Sequence, residues 1–129
     1  MQPRTMPDSK GDTETCLLGD GGTLRDILML AGPDIAPRLL AQITADLTQT
    51  ANQLRPALAQ RDWPLIRAQT HVLISVAGTI GAMGLHAEAC RLNTAAHLRD
   101  EAQTAALAPA LMDDLSRLIA LIDALGTAP

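Results

Sequence analysis

Three histidines and two cysteines are the side chains of this 129-residue chain best suited to nucleophilic or metal chemistry: His71, His86, His97, Cys16 and Cys90. A neutral imidazole can act as nucleophile, general base or metal ligand near physiological pH. Successive side chains on a helix are rotated by about 100°. On that projection His71 falls opposite Ile66, Leu73, Ala77 and Ile80, which form an apolar stripe. His71 is therefore expected to point at solvent from the middle of its helix. Pro64, Arg67, Ser75 and Gly78 share its face. Ser75 and Gly78 follow at one and two turns and are too small to shield it. A partner protein could approach such a cleared imidazole closely; an idle surface histidine would show the same pattern. His86, Cys90 and His97 recur at steps of four and seven, so a metal-binding face on the next helix is the alternative chemistry. No acidic or cysteine partner at ligand spacing completes that set, and no metal site is expected.

The elements that must position these residues follow from composition and periodicity. The chain holds 22 Ala and 21 Leu against two Val, one Trp and no Phe or Tyr. Sheets draw on β-branched and aromatic side chains, so sandwiches, barrels and doubly wound α/β folds are disfavoured and a helical bundle is the default. Residues 1–20 are rich in Pro, Asp, Thr, Gly and Ser without a helical period, and read as a flexible tail. A domain over 21–127 follows. It opens with a short helix capped by Thr23 and ending at Gly32. Ile35, Leu39, Ile43, Leu47, Thr50, Leu54 and Leu58 then mark one face of a long helix, which Pro56 should kink or end. Asp62 is a good N-cap for the histidine helix and Gly81 its stop. Leu85, Ala89, Leu92 and Ala96 mark a further helix. A loop over 100–104 leads to the last, marked by Leu107, Leu111, Leu115, Leu118, Ile122 and Leu125. Short connections imply an antiparallel four-helix bundle with an additional short N-terminal helix.

The same arithmetic excludes function classes. Net charge is −4 and the pI about 5.1, which gives no basic field for nucleic acid. A lone Trp63 provides no stacking platform for single strands. Two cysteines make no disulfide framework, so a cytoplasmic setting is expected. No basic n-region precedes an apolar run near the start, so no secretory leader is expected. The longest nearly apolar stretch, 72–85, is too short to span a bilayer.

The stretch His71-Val-Leu-Ile-Ser-Val-Ala-Gly-Thr-Ile-Gly81 resembles the signature of the histidine-containing phosphotransfer (HPt) domain, H-x-L-K-G-x-A-x-x-h-G with h apolar. His71, Leu73, Ala77, Ile80 and Gly81 match it. Ala57-Leu58 and Arg61-Asp62-Trp63 resemble the family's approach to the histidine helix, and Ala82, Leu85, Cys90 and Leu92 its continuation, so the resemblance spans about 22–125. Ile74 stands where the family has lysine and Ser75 where it has glycine. Arg67, one turn before His71, could supply the missing cation. Asn93 occupies a position where the family often has Gln or Glu. It could hydrogen-bond the imidazole, or be a plain boundary residue.

The resemblance implies a phosphocarrier rather than an enzyme in its own right. His71 would take a phosphoryl group from an aspartyl phosphate on a receiver domain, or on a hybrid histidine kinase, and return it to a second receiver. Mg²⁺ and most catalytic groups would belong to the receiver, and this chain would need no cofactor. Docking would use Ile74, Ser75 and Gly78, with Val72, Thr79 and Leu65 as flanking candidates. By periodicity Leu65 and Val72 are instead expected to pack on a neighbouring helix. A monomer is expected. A degenerate module that docks without phosphotransfer is the alternative, and a bundle that only dimerises is a third reading.

Overall fold

The computed structural model describes residues 17–127, and among them it is all-helical. Five helices follow one another: α1 Gly22–Ala31, α2 Ala36–Gln60, α3 Trp63–Ile80, α4 Met83–His97 and α5 Glu101–Thr127. Each of α2 to α5 packs on the next, and α2 also packs on α5. The four long helices thus close into a ring, while α1 lies against α2 and α3. The connections between α2 and α5 are only two or three residues long, the length that favours antiparallel neighbours in a helical bundle.

The apolar stripes meet in one core. Leu47 and Leu54 of α2, Ile66, Leu73 and Ile80 of α3, Leu85 and Leu92 of α4, and Leu111, Leu115, Leu118 and Ile122 of α5 are all fully buried. Leu17 and Leu18 are buried as well, so the core begins ahead of the boundary at 21. The rest of the tail, 1–16, lies outside the described residues. Trp63 is half-buried in the first turn of α3 and packs on the core.

Helix ends show where local chemistry prevails. Asp62 caps α3, its carboxylate accepting the Leu65 amide at 3.2 Å. Asp100 does the same for α5 through the Gln103 amide, so that helix starts at Glu101, inside the expected 100–104 loop. The N-cap of α1 is Gly21 rather than Thr23, with the Asp20 carboxylate accepting the Gly22 amide at 2.8 Å. Pro56 does not end α2, which runs on to Gln60. Its missing donor would have served the Asn52 carbonyl; both residues are exposed, and water can take that place.

Gly81 closes α3 in the left-handed region, at φ 82°. A Cβ there would also stand 2.8 Å from the Thr23 Cβ of α1. Gly81→Ala therefore combines a left-handed cost of about 1–2 kcal/mol with displacement of α1. The expected result is a loss of about 2–3 kcal/mol in urea unfolding. A loss below about 0.5 kcal/mol, the range of ordinary surface changes, would show that the turn is not tightly held.

Candidate functional site

α3 presents His71 at its middle, exposed, and directly after the fully buried Thr70. The rotation that buries Ile66, Leu73, Ala77 and Ile80 turns the imidazole outward, because the two sets lie on opposite sides of one helix. His71 makes no side-chain hydrogen bond or ion pair among the described residues. Ser75 and Gly78, the next two positions along its face, are exposed too. Thr79 is exposed with its hydroxyl turned back onto the Ser75 carbonyl at 2.9 Å.

Gly78 has a further role that the sequence alone does not reveal. A Cβ on it would lie 3.3 Å from Cδ2 and 3.7 Å from Nε2 of His86. The His86 ring of α4 therefore rests against the bare backbone of α3, two turns beyond His71, or about 10 Å along the axis. Nδ1 of His86 is 3.9 Å from the Cys90 sulfur, one turn on along α4. The cleared face is thus bordered by a second imidazole. Its position depends on a contact across helices, which spacing along α3 cannot show.

Asn93 and Arg67 meet on the other side of His71. The Asn93 amide donates to the Thr70 hydroxyl at 2.9 Å and to the Arg67 carbonyl at 3.2 Å. The Thr70 hydroxyl in turn donates to the Ile66 carbonyl at 2.8 Å. Asn93 thus holds the turn of α3 that precedes the imidazole and makes no hydrogen bond to the imidazole itself. Arg67 is half-buried one turn before His71. Ile74 is half-buried and packs on the core, as does Leu65, whereas Val72 is 40% exposed. Leu65 thus packs as its periodicity predicts, and Val72 does not. Val72 lies beyond the edge of the stripe, about 100° from Leu73.

The alternative metal face is not assembled. Among the described residues no group of three His, Cys, Asp or Glu side chains stands close enough to hold an ion. His97 is exposed at the end of α4, and Cys90 is a half-buried free thiol. Among the described residues no helix is long and apolar enough to cross a membrane.

No protein-family model matches the chain, and no curated protein or solved structure matches it at a significant level. The functional reading therefore stands on this geometry and on the sequence motif.

Proposed function

We propose that the chain is a histidine phosphotransfer protein with an HPt-like antiparallel bundle, and that His71 is its phospho-accepting residue. The observation that carries this reading is an exposed imidazole at mid-helix on a face cleared by Ser75 and Gly78. In the transfer step the neutral imidazole nitrogen attacks phosphorus. The new P–N bond forms as the P–O bond to the receiver aspartate breaks, and the aspartate leaves as carboxylate. The other ring nitrogen keeps its proton. Such a step needs alignment and charge neutralisation more than covalent help. The receiver, or a hybrid kinase, would bring the Mg²⁺. This chain contributes a nucleophile on a rigid helix and works as a cytoplasmic monomer.

Arg67 is the candidate cation in place of the family lysine. Arg67→Ala is expected to slow transfer by about 10-fold, the scale of one charge contact worth roughly 1.4 kcal/mol. An unchanged rate would remove Arg67 from the site. The whole reading is tested with a phosphorylated receiver domain, by whether label passes to the chain.

The second reading, a module that docks on a receiver or kinase and blocks it, is favoured by one observation. Ile74 fills the lysine position and is half-buried against the core, so it offers no charge to a phosphoryl group. Tight binding with no transfer would select that reading.

A further inference from the structure

On the flank of α4 away from His86 and Asn93, Glu88 turns toward α5. It is half-buried, and its Oε1 is sealed from solvent with no hydrogen-bond partner. The side chain that faces it is Asp114 of α5, another half-buried carboxylate within hydrogen-bonding reach. Two ionised carboxylates have no hydrogen to share, so this contact is repulsive when both are charged. One proton changes its character, since the protonated carboxyl becomes a donor and its partner the acceptor.

We propose that Glu88 and Asp114 share a single proton across the α4–α5 seam, and that this proton latches the two helices together in the acid-to-neutral range.

The surroundings support a shared proton. Among the described residues Arg91, one turn along α4, is the one cation acting on Glu88, and it is exposed. On α5 the nearest basic side chain, Arg117, is engaged with Asp113 at 3.1 Å, on the solvent side. α3 meets the opposite flank of α4, through the Asn93 contacts and the His86 ring, and presents no charge to Glu88. Burial first, and then the adjoining Asp114 carboxylate, push the Glu88 carboxyl up from 4.5 to about 7, with Arg91 opposing. A carboxyl raised in the folded state binds its proton more tightly there than in the unfolded chain. Its stabilising contribution is complete below about 4.5, falls as pH rises, and is lost above about 7. This inference does not depend on phosphotransfer.

The test is a carboxyl ¹³C titration of the full chain, with thermal unfolding followed over the same pH range. Glu88 is expected to titrate near neutrality in the wild type and to fall by a unit or more in Asp114→Asn. The Tm of the wild type relative to Glu88→Gln is expected to drop between about pH 4.5 and 7 and to level off above. A Glu88 midpoint in the ordinary carboxylate range would overturn the proposal. So would a wild-type Tm above pH 7 that Mg²⁺ raises and Glu88→Gln abolishes, because the pair would then hold a cation. If Glu88→Gln fails to fold, the titrations of wild type and Asp114→Asn decide alone.

Discussion

His71→Gln is expected to abolish acceptance of a phosphoryl group while leaving the bundle as stable as the wild type, within about 0.5 kcal/mol. Both halves follow from the same placement. The imidazole is exposed, opposite the core stripe of α3, and makes no hydrogen bond or ion pair among the described residues. Removing it opens no cavity and strands no buried polar group, which are the usual origins of large stability losses. Glutamine keeps the helix, being a better helix former than histidine, but carries no nitrogen lone pair nucleophilic enough to take phosphorus. Circular dichroism and urea unfolding check the first half, and label transfer from a phosphorylated receiver the second. Transfer that persists in His71→Gln would move the acceptor to another residue, with His86 first in line because its ring borders the same face.

The largest stability effect should come two residues on. Leu73 is 0% exposed, and Leu73→Ala is expected to cost about 3 kcal/mol. For a domain this size, that lowers Tm by on the order of 10 °C. Val72, its immediate neighbour, is 40% exposed, and Val72→Ala should fall within about 0.5 kcal/mol. Trp63 is the sole aromatic residue and packs on the core at the start of the same helix, so its fluorescence follows the unfolding of α3 directly. Near-equal effects at the two positions would mean that α3 is rotated from the orientation described, and His71 would then no longer be pointed outward by the core.

The contrast between those neighbours also shows how much was legible in the sequence. Periodicity placed the stripe of α3, and with it the outward direction of His71, because a helix translates spacing into direction without reference to its partners. Asp62 and Gly81 marked the ends of that helix for local reasons too: an Asp side chain accepts the third amide, and a glycine takes the left-handed turn. Pro56 does not end its helix, because the cost of a missing donor depends on whether water can reach the orphaned carbonyl, which is a tertiary property. The flank contacts were hidden for the same reason. That Asn93 grips the turn before His71, that Gly78 is the seat of His86, and that Glu88 meets Asp114 all depend on how α4 is set against α3 and α5. A single-helix projection locates faces and is blind to what a neighbouring helix brings to them.

The central claim, that His71 receives a phosphoryl group, is tested most directly by mixing the wild-type chain with a receiver domain carrying a labelled aspartyl phosphate. The chain should acquire label that is lost in acid and kept in alkali, as a phosphoramidate bond behaves, and peptide mapping should place it on His71. A chain that binds the receiver and acquires no label would contradict the claim.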